Sequence, residues 1–240
     1  AEYGLPINPS TLLNLKHCPV TDKSWDHETR ELFIRFLATG QALPPVWEEL
    51  DFVDLPGRWM PEWLGVRNRP SASAAHRYTI DRHMIEVVSR LGREAPSGMR
   101  YDDTQYATLL LAGLLHDIGK RPGVRDHAAE GARHVPVILG RMGFDDQVVA
   151  QATLLVREHL TLSQFATGKD PEDPAVGREL AGRVENDPVL LDMLFDLTRA
   201  DGSSLGAPSG EAITKQYGWS HWREATVRMM YQAAREAMEG

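Results

Sequence analysis

Apolar residues recur at three- and four-residue spacing along almost the whole chain, which restricts it to helices packed on helices. No sustained two-residue alternation appears, and no Asn-Gly dipeptide marks a hairpin. The pattern predicts helices over 8–16, 25–39, 44–53, 77–91, 103–118, 127–142, 145–159, 175–185, 188–201 and 219–238. Gly92, Gly119, Gly143 and Gly168 fall just past periodic runs, where a left-handed residue commonly ends a helix. The stretches RPSASAA (69–75), DPEDP (170–174) and GAPSG (206–210) read as loops. The expected fold class is therefore all-α, without internal repeats or a heptad array.

The chain is long enough to bury a substantial core: 240 residues, 42% hydrophobic and 25% charged. No apolar run reaches the roughly 18 residues of a membrane span. The first ten residues have neither the basic start nor the apolar stretch of a secretory signal. One cysteine, Cys18, precludes an internal disulfide; it is read as a packing residue, and the expected compartment is the cytoplasm. A net charge of −8 argues against a nucleic-acid partner, while leaving room for a small phosphate-bearing substrate met by a local cation. Because the sequence lacks an initiator Met, an excised or processed piece of something longer is one expectation. Four of the six tryptophans (Trp25, Trp47, Trp59 and Trp63) fall in the first 65 residues. That segment is expected to be a helical lead-in packed on the main bundle, with a partner-binding surface as the alternative.

The chemistry concentrates at His116-Asp117, where the apolar run LLLAGLL ends and Ile118-Gly119-Lys120 follows. The small residues Ala112 and Gly113 lie one turn earlier and are expected to leave room beside the pair. Other candidates share apolar helix faces. His83 lies three after Ile80 and four before Val87, and His159 four after Leu155. Asp201 lies four after Leu197, and His127 opens a stripe continued by Gly131, His134, Val135 and Ile138. A single histidine on such a face is more often a hydrogen-bonded core residue, and Asp201 alone could be a helix-end residue. A buried carboxylate is costly unless paired, however, and several His and Asp converging from separate helices suit a divalent cation. His134 reads as a core or rim histidine, and Asp126 as the N-cap of the helix that begins at His127. His17, His27 and His221 have no supporting context.

The order His83…His116-Asp117…Asp201 resembles the HD-domain phosphohydrolase superfamily. More narrowly, residues of about 60–235 are similar to the central HD domain of bacterial PII uridylyltransferase/uridylyl-removing enzymes. The matching stretches are PEWLGVRNRP, HRYTIDRHMIEVV, LLAGLLHDIGK, DHAAEGA, LVREHLTLS, DPEDPAV, LTRADGSSLG and YGWSHWREATV. The resemblance implies an HD helical bundle over 66–215, a lead-in over 1–65 and a helix over 216–240 packed on the core. It implies His83, His116, Asp117 and Asp201 as metal ligands. His127 and His159 would be the additional histidines of two-metal members, with Asp117 bridging. Lys120 would face the substrate phosphate, with Arg121 and Arg125 as further phosphate contacts or simple solvated loop charges.

The implied cofactor is one or two divalent ions, Mn, Fe, Zn or Co, and Mg less readily given so many imidazoles. The implied reaction removes UMP, or AMP in some relatives, from a tyrosine of the PII signalling protein. Full-length members also carry nucleotidyltransferase and ACT domains, and neither fits in this chain. Two departures are visible: RPGVRD before His127 is longer than the usual turn, and Gly168-Lys169 stands where a basic pair is common. A stand-alone hydrolase of small nucleotides and a non-catalytic sensing or docking module remain as alternatives.

Overall fold

The computed structural model describes residues 6–19, 24–71, 78–94, 100–204 and 219–240. Among these residues every regular element is helical, apart from one antiparallel bridge between Pro70 and Thr79. The lead-in comprises α1 (Pro9–His17), α2 (His27–Leu37), α3 (Leu43–Phe52) and α4 (Leu55–Trp59), with two short 3₁₀ turns, η1 (Gly40–Ala42) and η2 (Pro61–Gly65). Then come α5 (Ile80–Glu94), α6 (Asp103–Leu115), α7 (His127–Arg141), α8 (Asp146–Glu158), α9 (Thr161–Gly168), α10 (Pro174–Arg183), α11 (Pro188–Ser204) and α12 (His221–Glu239). No helix among the described residues is long and apolar enough to cross a membrane.

The central rod is α6. Its start is fixed by a capping box, in which the Asp102 carboxylate accepts from the Gln105 N–H and the Gln105 side chain accepts from the Asp102 N–H. Every residue from Thr108 to Leu115 is buried, as a helix apolar on all sides requires. Helices α5 and α8 pack on it, α7 pairs with α8, and α11 lies against α5. On the far side α12 packs on α9 and α10.

The lead-in shares this core. Phe33, Leu37, Leu43, Trp47, Met60 and Trp63 pack in the same apolar cluster as α5 and α6. Trp25, Phe33 and Trp59 meet edge to face, and Phe36 stacks on Trp47. Asn68 donates its N–H to the Asp81 carboxylate at 2.7 Å, which ties the end of the lead-in to the first turn of α5.

Several expectations need correction. Helix α5 begins at Ile80, three residues later than the pattern suggested, and runs on past Gly92. Helices α4 and α9 were not foreseen, and Cys18 is exposed rather than packed. Gly143 does adopt the left-handed conformation after α7, with φ +80°. Gly113 leaves no space for a ligand: a methyl there would sit 2.7 Å from Leu91, so its smallness admits α5 instead. The loop expected over 206–210 lies outside the described residues, as does most of 69–75.

Candidate metal centre

Five elements deliver six side chains to one buried point. His83 comes from the first turn of α5, and His116 and Asp117 from the turn that ends α6. His127 is the first residue of α7, whose start is fixed by the Asp126 carboxylate accepting from the Ala129 N–H at 2.9 Å. His159 is the C-cap of α8, and Asp201 sits in the last turn of α11. His83, His116, Asp117 and His159 are each no more than 1% exposed, so water does not solvate their polar atoms. The ends of α6 and α8 point their carbonyls toward the cluster, a polarity that favours positive charge.

The six side chains form two groups of three, His83, His116 and Asp201 in one and Asp117, His127 and His159 in the other, with Asp117 also near the first. In the first, His83 Nε2 lies 3.0 Å from Asp201 Oδ1, 3.3 Å from His116 Nε2 and 3.7 Å from Asp117 Oδ2. His116 Nε2 is 3.5 Å from Asp117 Oδ2 and 3.9 Å from Asp201 Oδ1. In the second, Asp117 Oδ1 lies 3.4 Å from His127 Nε2 and 3.6 Å from His159 Nε2. Ligand atoms held at about 2.1 Å by one ion stand roughly 3.0–3.4 Å apart, so these separations suit coordination. Asp117 Oδ1, His127 Nε2 and His159 Nε2 are buried without a hydrogen-bond partner among the described residues. Such atoms cost about 1–3 kcal/mol each when left unsatisfied. Each group could hold a metal ion, and the imidazole and carboxylate donors fit a borderline divalent cation.

The electrostatics point the same way. Burial raises the Asp117 carboxyl, but the charge of His116, the close imidazoles of His116 and His159, and the Lys120 ammonium together hold it well below the usual carboxylate range. Burial raises Asp201 too, and is overcome by the His83 imidazole 3.0 Å away and the charge of His116. Both carboxylates are therefore ionised at neutral pH. Burial pushes His127 down to about 4 against the pull of Asp117, so its imidazole is neutral and its lone pair available. For His116 burial lowers the pKa, and Asp117 and Asp201 reverse the sign and raise it.

Lys120 donates to Asp117 Oδ2 at 2.6 Å and is one-quarter exposed at the rim. Arg121 turns away: its Nη2 donates to the Glu62 carbonyl at 3.0 Å, and its guanidinium packs against Gly65 of η2. It ties the loop after His-Asp to the lead-in. Arg125 stands exposed in the turn before α7. His134 pairs with Glu130 at 3.2 Å, outside both groups. Ser204, not singled out from the sequence, reaches His83 Nδ1 at 2.9 Å. Its position one helical turn after Asp201 was the available signal.

Gly119 shapes the centre without entering the left-handed region expected of it. A methyl there would lie 2.1 Å from the His127 carbonyl and 2.4 Å from the Gly131 nitrogen. Only a glycine lets the turn after Asp117 touch the first turn of α7.

No family model matches the chain. Among curated proteins it is similar to the bifunctional uridylyltransferase/uridylyl-removing enzyme of Streptomyces coelicolor, 35% identical over 229 residues, which cover 95% of this chain and 25% of that protein. The enzyme of the same name from Mycobacterium tuberculosis is 33% identical over 241 aligned residues, covering 100% of the chain and 28% of the relative. That from Corynebacterium glutamicum is 29% identical over 238, covering 99% and 32%. The chain thus spans about a quarter to a third of the length of these relatives.

Proposed function

We propose that this chain is a metal-dependent phosphodiesterase of the HD type that removes a nucleotidyl group, UMP or AMP, from a tyrosine of the PII protein. The observation that carries the reading is the trio of buried, unpartnered ligand atoms on Asp117, His127 and His159, set beside a second group of three. The names of the similar proteins, which include uridylyl removal, support the substrate class.

In this reading His83, His116 and Asp201 would hold one divalent ion, and His127 and His159 a second, with Asp117 as a ligand within reach of both. When bound, such ions supply Lewis acidity, acidifying water toward neutral pH and drawing charge off a phosphoryl group. Asp117 spans both groups, and its ionised state keeps the ligand set anionic. Lys120, on Asp117 and partly exposed, neutralises charge that grows on the phosphoryl oxygens. Arg125, exposed on the same loop, would meet the nucleotide from the solvent side. The departing tyrosine oxygen has a pKa of about 10, low enough to leave with little acid assistance.

The test is to incubate the purified chain with Mn²⁺ and, separately, UMP-modified PII, AMP-modified PII and free nucleotides. Release of UMP or AMP from a modified protein, abolished by chelator and by Asp117→Ala, is expected. Hydrolysis of free nucleotides alone would overturn the substrate assignment, and full activity of D117A would overturn the centre.

A further inference from the structure

The three innermost histidines must each present a bare Nε2 to the centre, and that depends on what holds the opposite nitrogen. His116 Nδ1 lies 2.8 Å from the Gly113 carbonyl, and His159 Nδ1 lies 2.7 Å from the Val156 carbonyl. A carbonyl only accepts, so in both rings Nδ1 carries the hydrogen and Nε2 keeps its lone pair. Both residues can reach back three positions because each ends a helix, where the last carbonyls have no intrahelical donor.

His83 is in a different situation. It lies in the first turn of α5, with its own N–H bonded to the Thr79 carbonyl at 2.9 Å. The group at its Nδ1 comes from another helix: Ser204 Oγ of α11, fully buried, at 2.9 Å. The Ser204 hydroxyl has one hydrogen, and the Asp201 carbonyl accepts it at 2.7 Å. Toward His83 the oxygen is then an acceptor, so Nδ1 carries the hydrogen here too.

We propose that Ser204 is a positioning residue that fixes the ring orientation and tautomer of His83 and couples that ring to Asp201. The proposal rests on the metal-centre reading above. Serine bonding to a carbonyl one turn earlier is common in helices and by itself means little. The buried approach to His83 Nδ1 from across the bundle is what adds a role. Removing the hydroxyl takes away this acceptor. It favours the opposite tautomer, whose Nε2–H points at Asp201 Oδ1, 3.0 Å away, and competes with a cation for both ligands. Partners that orient metal-ligating histidines typically contribute 10–100-fold in metal affinity.

The experiment measures Mn²⁺ affinity by electron paramagnetic resonance for the wild type and Ser204→Ala. Both are repeated with His127→Ala, so that the group of His83, His116 and Asp201 is read alone. Ser204→Thr and Ser204→Val, which differ chiefly in the hydroxyl, keep the comparison available if S204A folds poorly. Histidine ¹⁵N spectra of the zinc-loaded protein report which ring nitrogen of His83 carries hydrogen. Expected is affinity about 10–100-fold weaker for S204A and S204V, recovery in S204T, and a protonated Nδ1 on His83 in the wild type. Wild-type affinity in both S204A and S204V, or an unprotonated Nδ1, would reduce Ser204 to a helix-end residue. A wild type that takes up no ion would instead overturn the metal centre itself, which is a separate result.

Discussion

Gly119→Ala is a one-methyl change that the fold has nowhere to put. The added carbon would sit 2.1 Å from the His127 oxygen, where ordinary contact is about 3.4 Å, so a movement of about 1.3 Å is needed. The obstacles are main-chain atoms of the first turn of α7, and no rotamer change removes them. Either α7 retreats, carrying His127, or the turn retreats, carrying Asp117. In both cases the 3.4 Å separation of His127 Nε2 from Asp117 Oδ1 opens by about an ångström. Metal–ligand distances tolerate only about 0.2 Å, so the group of Asp117, His127 and His159 loses its ion. His83 and Asp201, on α5 and α11, are not moved by this contact. Overpacking of this kind costs about 1–3 kcal/mol, which for a chain of this size lowers the melting temperature by about 2–12 °C. The assay is Mn²⁺ stoichiometry by metal analysis after gel filtration, with a thermal melt of the same sample. The expected result is a fall from two ions to one with a lowered melting temperature. Two ions bound at wild-type affinity with an unchanged melt would refute the argument.

Lys120→Met removes the ammonium on Asp117 while leaving all six ligands; metal content should persist and kcat should fall on the order of 10²–10³-fold, read by nucleotide release. Arg121→Ala should leave metal affinity and kcat near wild type but cost about 1–3 kcal/mol in chemical denaturation, because its partner is the Glu62 carbonyl. In the metal-free protein, burial depresses His127 from 6.5 to about 4. Its contribution to stability is therefore complete above 6.5 and is lost as the pH falls toward 4. His127→Gln should flatten the denaturation profile across that window. His116, shifted upward, has the opposite sign and acts above 6.5, so it does not mimic the effect.

The legible part of this molecule was what hydrophobic patterning encodes. The run from Leu109 to Leu115 declared a buried helix, and the apolar stripes under His83 and His159 placed them in the interior where the structure has them, while Asp201 is only partly buried. The structure also brings His127 to Asp117, despite the longer turn before it. What escaped was decided by tertiary neighbours. The smallness of Gly113 looked like room for a ligand, but it is filled by Leu91 of α5. Arg121 could be read as a phosphate contact or a solvated loop charge, and its bond to a carbonyl 59 residues away is not visible in local sequence. Ser204 bonds across 121 residues, a distance no local pattern reports. Helix α9 is only 8 residues long and follows His159 directly, too short a stretch for a periodicity of its own.

The most direct measurement is anomalous diffraction from crystals soaked in Mn²⁺. The account predicts two peaks, one bounded by His83, His116 and Asp201, the other by His127 and His159, with Asp117 reaching both. Saturated crystals with no peak within coordination distance of Asp117 would contradict it.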